Sequence, residues 1–266
     1  MKQNHSNVDI IGYDLNQANE RYLLNQHLID QSMTFQKASQ IADIIILAGP
    51  VNVILRQIHV LSNLKLKSNV LITDVGSTKT SILKQSKQLT EQGIHFLGGH
   101  PMAGSQKSGS KAGWVNLFNH TTYFLVRSNA TIKQIKLFKS LLDNHHIHFV
   151  FVSAFKHDQM VGYISHLPHA LAFSLVHLMD QKLHGELKQI QVGGGLLSTT
   201  RIAAADPTMW SNIFMNNKND LIKQIDDFQK QLNDLKMILQ KQNPKQIKQY
   251  LEQSQNIRQR MDWRKS

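Results

Sequence analysis

Two kinds of segment alternate along the first half of the chain. Short, nearly unbroken apolar runs at residues 8–14, 43–48, 70–75, 94–97, 122–126 and 147–152 read as strands, and the inner ones are apolar on both faces, as strands of a parallel sheet are. Between them, apolar residues recur at helical spacing over 15–28, 35–41, 51–61, from near Lys79, and over 132–142, with a further short apolar piece at 114–118. This alternation predicts an α/β fold with a doubly wound, Rossmann-like parallel sheet. It stops near Ser153. From there the periodicity is helical throughout, so the expected division is an α/β domain over 1–152 and an all-α domain over 153–266. Within the second, Leu221, Ile225, Phe228, Leu232, Leu235 and Leu239 follow one another at spacings of four and three, a heptad-like seam that needs another helix to cover it. Asn243-Pro244 breaks that helix and a terminal one follows from about Lys245.

Length and composition narrow the choice of chemistry. A chain of 266 residues is long enough for one large or two modest domains with a sizeable core. It has no cysteine, which excludes a disulfide framework and thiolate catalysis. No apolar run approaches the roughly 20 residues of a membrane span, and no charged-then-apolar leader opens the chain, so the expectation is a soluble cytoplasmic protein without a membrane partner. The formal net charge is +12, yet the lysines are scattered among Gln and Asn with no basic stripe or interleaved aromatics. That distribution argues against nucleic acid and suits small anionic ligands.

Candidate chemistry gathers in a few stretches. Gly98-Gly99-His100-Pro101-Met102-Ala103-Gly104-Ser105-Gln106-Lys107-Ser108-Gly109 follows the apolar run at 94–97 and reads as a loop opening where a strand ends, the position at which open α/β sheets bind ligands. A surface turn with an incidental histidine is the alternative. In His157-Asp158-Gln159-Met160-Val161-Gly162-Tyr163-Ile164-Ser165-His166-Leu167-Pro168-His169 the apolar positions are helical, so Ser165 and His169 share a face and Pro168 kinks the helix beside them. A third stretch runs from Gly193-Gly194-Gly195 to Thr199-Thr200-Arg201-Ile202-Ala203, then Asp206-Pro207-Thr208-Met209-Trp210. Fourteen histidines, with His166 and His169 at helical spacing, raise the alternative of a metal-dependent hydrolase, but no acidic ligands accompany them and no metal is expected.

Together with Thr73-Asp74-Val75-Gly76-Ser77-Thr78-Lys79, these stretches resemble the prephenate dehydrogenase family, in order, from about Asp9 to about Phe214. The resemblance implies NAD-dependent oxidative decarboxylation of prephenate to 4-hydroxyphenylpyruvate in tyrosine biosynthesis, or the matching reaction of arogenate. It implies His100 and Ser77 as catalytic residues, Ser77 beside the nicotinamide; Ser77 also reads as the N-cap of the helix from Lys79. Ser165, His166, His169, Arg201 and Trp210 would line the substrate pocket, with Arg201 pairing a carboxylate. A core role remains open for His166 and Trp210, and a helix-capping role for Arg201. Asp14, Gly49, Pro50, Asp74 and Ser77, at strand ends, would meet the cofactor. Asp14 would accept the ribose hydroxyls and favour NAD over NADP, unless it merely caps the following helix. The family's helical domain implies a homodimer, and from the chain's length no appended regulatory domain is expected. Two departures stand out: Gln106 and Ser198 occupy positions where the family often has Glu and Asp.

One family feature has no counterpart. The Gly-x-Gly-x-x-Gly turn expected before residue 8 is absent from Met1 to Asn7. The expectation is therefore a chain that starts at an internal methionine and lacks the central first strand, leaving two inner strand edges unpaired at about 1–3 kcal/mol per buried unsatisfied group. A non-catalytic remnant that dimerises without binding dinucleotide is the corresponding alternative.

Overall fold

The computed structural model describes residues 7–104, 109–143, 146–183 and 192–261. The element order is β1 (Ile11–Gly12), α1 (Gln17–Asn25), β2 (Gln31–Ser32), α2 (Phe35–Ile41), β3 (Ile44–Leu47), α3 (Val51–Leu61), β4 (Leu71–Asp74), α4 (Thr80–Thr90), β5 (His95–Pro101), β6 (Thr122–Arg127), α5 (Ile132–Ser140), β7 (His148–Phe151), α6 (Ala154–Val161), α7 (Leu167–Leu183), α8 (Gly194–Thr200), α9 (Pro207–Asn216), α10 (Lys218–Gln240) and α11 (Pro244–Arg260). Packing groups these into two compact units, Met1–Asp220 and Leu221–Ser266.

In the first unit the strands form a five-stranded sheet in the order β3-β4-β5-β6-β7 and a separate parallel pair, β1-β2. Among the described residues no ladder joins β1 to β3. The apolar run at 8–14 forms only a two-residue strand, because Ile10 N turns to the Asp30 carboxylate and the ladder to β2 closes at Gly12↔Ser32. The larger sheet is parallel except where β5 meets β6. Its neighbouring residues face opposite sides, as pleating requires. Ile72 and Phe96 join Ile54, Ile58 and Leu61 of α3 and Ile82 and Leu89 of α4. Leu71 and Leu97 join Leu125, Ile135 and Phe138 on the other face. Ile54, Ile58 and Leu61 are fully buried, and each such side chain contributes about 1.5–3 kcal/mol.

Two local departures from the expected elements shape the site. His100 and Pro101, expected in a loop, belong to β5: the antiparallel ladder to β6 runs from Leu97↔Arg127 through His100↔Phe124 to Pro101↔Tyr123. Glycine permits this close course, since a Cβ on Gly99 would lie 2.5 Å from the Asp74 backbone oxygen. The predicted Pro168 kink is taken up one turn earlier. α6 gives way to a π-helical turn over Gly162–His166, in which Leu167 N donates to Gly162 O five residues back, before α7 begins. Such π-bulges occur often at functional sites.

The second unit is built on α10 and α11, with Asn243 Oδ1 accepting from Lys245 N and Gln246 N to cap α11 ahead of Pro244. Along the α10 seam Leu232 and Leu239 are exposed, as are Leu251 and Ile257 of α11. Among the described residues no helix is long and apolar enough to cross a membrane.

Candidate active site

The C-terminal ends of β4 and β5 meet the start of α4 and α6, and five buried ionisable side chains link them. Asp74, the last residue of β4, is fully buried. It accepts from Gly76 N at 2.8 Å and Gly99 N at 3.2 Å and forms an ion pair with the equally buried Lys79. Burial pushes the Lys79 ammonium below its usual range, an effect opposed by Asp74. Asp74, expected at the cofactor, thus has its carboxylate turned inward to these partners.

Lys79, not Ser77, occupies the N-cap position of α4, and the cap comes from another helix. The Asp158 carboxylate of α6 accepts from Lys79 N at 2.6 Å and from Thr80 N at 2.8 Å. It also meets His157 Nδ1 at 2.7 Å. Burial raises the Asp158 carboxyl, but the hydrogen bonds from His157, Thr80 and Lys79 outweigh this and hold it below the usual carboxylate range. Ser77 is left half-buried between Asp74 and α4.

His157 is fully buried, and its Nε2 lies 2.9 Å from His100 Nδ1. Phe124 packs edge-on against it, ring centres 5.3 Å apart. His100 itself is 8% exposed. Burial first, then His157, Lys79 and His166, hold its pKa well below that of a free imidazole, so His100 is neutral near pH 7 and able to accept a proton.

The remaining expected residues fall in two layers. His166 is buried to 1% exposure and its pKa is lowered to about 4, chiefly by burial. Asn217 Nδ2 donates both to His166 Nδ1 and to the Asp158 backbone oxygen, each at 3.0 Å. His166 therefore lies behind the site, as the core reading anticipated. Nearer the surface, half-buried His169 meets the Ser165 carbonyl through Nδ1 at 2.9 Å and stacks on the Trp210 indole, ring centres 3.5 Å apart. Trp210, expected to line the pocket, is buried beneath His169 in a cluster with Ala205, Ile213, Phe173 and Phe214. Arg201 is exposed and close enough to depress the His169 pKa further, after burial, against the opposing Ser165 bond. Ser198 is exposed one helical turn before Arg201, and Gln106 lies outside the described residues.

Residues expected at the cofactor sit at the ends of β1, β3 and β4. Asp14 follows β1; its carboxylate accepts from Asn16 N at 2.8 Å and Asn19 Nδ2 at 2.9 Å, while Asn16, not Asp14, caps α1. Gly49-Pro50 joins β3 to α3, whose first turn carries no side-chain cap. Among the described residues no group of three or more His, Asp or Glu converges as a metal site would. Lys79, His157, Asp158 and Asn217 carry much of this geometry without having been assigned a role from the sequence. The available signal was adjacency: Lys79 closes the Thr73–Lys79 motif, and His157-Asp158 opens the one ending at His169.

A Rossmann-like α/β sheet with a buried, neutral imidazole at its strand ends, followed by a helical region, defines a dehydrogenase-type oxidoreductase. The sequence model described as the prephenate dehydrogenase nucleotide-binding domain matches residues 1–151, and that described as the prephenate dehydrogenase dimerization domain matches residues 153–253. The chain belongs to the prephenate dehydrogenase family. It is 35% identical over 265 residues to the prephenate dehydrogenase of Lactococcus lactis subsp. cremoris, covering 98% of this chain and 73% of that protein. The crystal structure of the A. aeolicus prephenate dehydrogenase with hydroxyphenyl propionate and NAD+ is similar at a TM-score of 0.86 and 30% identity, covering 98% of this chain and 92% of that one. The Synechocystis arogenate dehydrogenase is similar at a TM-score of 0.81 and 25% identity, covering 97% and 92%.

Proposed function

We propose that the chain catalyses the oxidative decarboxylation of prephenate with NAD+, yielding 4-hydroxyphenylpyruvate, CO2 and NADH in tyrosine biosynthesis in the cytoplasm. The observation that carries this reading is His100, an imidazole kept neutral by burial at the end of β5 within a chain of this family. Bound NAD+ would supply the hydride acceptor. The residues at the ends of β1, β3 and β4 fit a dinucleotide: Asp14 has a carboxylate oriented by Asn16 and Asn19 for ribose hydroxyls, and Gly49-Pro50 presents an uncapped helix start. Ser77 belongs with them by its position after β4, whereas Asp74 acts indirectly, by fixing Lys79 and the Gly76 and Gly99 amides.

On the substrate side, His100 accepts the ring-hydroxyl proton, and Arg201 holds a carboxylate as a planar two-point donor. Ser165 and His169 flank the substrate, while His166 and Trp210 support them from below. We assign catalysis to residues 1–152 together with the start of the helical domain at 153–266, and assembly as a homodimer to the exposed apolar positions of α10 and α11.

The test is NADH formation with prephenate and, separately, with arogenate, which the similarity to the Synechocystis enzyme makes the second substrate to examine. We expect prephenate turnover, with His100→Asn lowering kcat by about 10²–10⁴-fold. Arg201→Ala should raise KM for prephenate by about 10–100-fold, the loss of one charge-assisted pair. Turnover of arogenate alone, or an unaltered kcat in His100→Asn, would overturn the assignment.

A further inference from the structure

Resting on the reaction proposed above, we propose that its base is a three-membered chain, in which His157, anchored by Asp158, fixes the tautomer of His100 and takes up the second proton of its ring.

The protons can be assigned from the acceptor end. An ionised carboxylate only accepts hydrogen bonds. Asp158 is ionised, because three groups converge on it: Lys79 N and His157 Nδ1 on Oδ1, Thr80 N on Oδ2. His157 Nδ1 therefore carries hydrogen and donates. Burial keeps His157 neutral, so its Nε2 holds a lone pair. That lone pair faces His100 Nδ1 at 2.9 Å, which makes Nδ1 of His100 the donor. His100 is neutral too, so its Nε2 is left as the one ring atom able to accept from a substrate hydroxyl. The reverse assignment would turn the His157 Nδ1 lone pair onto the Asp158 carboxylate.

The same chain gives the proton a place to go. As hydride leaves the hydroxyl-bearing carbon for NAD+, the O–H bond breaks and its proton bonds to His100 Nε2. The His100 Nδ1 proton passes to His157 Nε2, and the positive charge comes to rest on His157, which keeps its Nδ1–H on Asp158. No other acceptor is required, and one proton is stored. Without the relay, charge would stay on His100, which faces Lys79, His157 and His166. The groups facing His157 are Asp158, Lys79 and Asp74, so the imidazolium gains a carboxylate in direct contact. Loss of CO2 then sends the carbon–carboxylate bond pair into the ring and onto the new carbonyl oxygen; with His157 fully buried, the stored proton returns through His100 to that oxygen, and the phenol leaves.

The experiment uses the full chain labelled with [15N]histidine. His100 resonances, identified by their loss in His100→Asn, are expected to show a protonated Nδ1 and a bare Nε2; the opposite tautomer overturns the proposal whether or not the protein is active. Kinetics follow with His157→Gln, whose amide oxygen accepts from Nδ1–H but takes up no proton, and His157→Phe, which does neither. We expect kcat to fall about 10-fold in the first and about 100-fold in the second, with KM for prephenate within about twofold of the parent. Turnover in H2O/D2O mixtures should follow a curved dependence in the parent, from two moving protons, and a linear one in His157→Gln. A linear parent or a parental kcat in His157→Phe shows His157 to be packing alone. A parent with the expected tautomer and no prephenate turnover rejects the reaction and keeps the tautomer assignment.

Discussion

Replacing Lys79 by methionine isolates the buried ion pair on which the site is built. Both partners are fully buried, and removing one member of such a pair typically costs about 3–5 kcal/mol, because the other charge is left uncompensated. Here Asp74 keeps the Gly76 and Gly99 amides, and methionine fills nearly the volume of the lysine stem, so the lower end, about 3 kcal/mol, is expected. For a cooperative unit the size of Met1–Asp220, a loss of about 3 kcal/mol lowers Tm by roughly 6–12 °C. Thermal melts of Lys79→Met, Asp74→Asn and the double variant form the assay. The double variant should melt above the value additivity predicts, with a coupling of about 2 kcal/mol or more. If Lys79→Met melts within about 2 °C of the parent, or the two substitutions simply add, the pair does not hold β4, β5 and α4 together and the reasoning fails. The same substitution removes a cation that depresses the His100 pKa, so the acid limb of kcat/KM should move to higher pH in Lys79→Met.

Asp158→Asn offers one oxygen to three donors, so at least one N–H at the start of α4 loses its acceptor at about 1–3 kcal/mol; faster hydrogen exchange at Lys79 or Thr80 is expected, and unchanged protection would count against the cap. Acid should destabilise the fold through its histidines: the His166 pKa is lower folded than unfolded, so the unfolded chain binds the extra proton and stability is lost as pH falls from 6.5 towards about 4. Urea titrations across that window should show a loss on the order of 3 kcal/mol that shrinks in His166→Gln, and an equal slope in both proteins would exclude His166 as a cause. Gly99→Ala places a Cβ 2.5 Å from the Asp74 backbone oxygen, so β5 has to move; a stability loss of about 1–3 kcal/mol is expected by thermal melt, and a neutral outcome would show that the strand gives way freely.

The parts of this molecule visible in its sequence are those set by local pattern. Apolar runs marked β4 and β6 because strands buried on both faces need no polar partner, while β3, equally apolar, is an edge strand and leaves Ile46 exposed; Asn243-Pro244 marked the start of α11 because proline fits a first turn. The helical course of residues 157–175 was likewise legible from spacing, although the π turn between α6 and α7 was not, since its cause is a backbone hydrogen-bond shift. What escaped was everything decided by partners distant in sequence. Ser77 has the residue type of an N-cap, yet α4 is capped by Asp158, 78 residues beyond Thr80, whose carboxylate also serves His157. Lys79 looks like one more surface lysine in a chain of net charge +12, and only the meeting of β4 with α4 buries it on Asp74. His100 reads as a loop residue because Gly98 and Gly99 resemble a turn; the glycines instead let β5 run against Asp74 and carry His100 into the ladder with Phe124. A glycine chosen for close approach and one chosen for a turn are the same letter. The acceptor facing each candidate residue tells them apart, and at His100 that acceptor, His157, lies on another element.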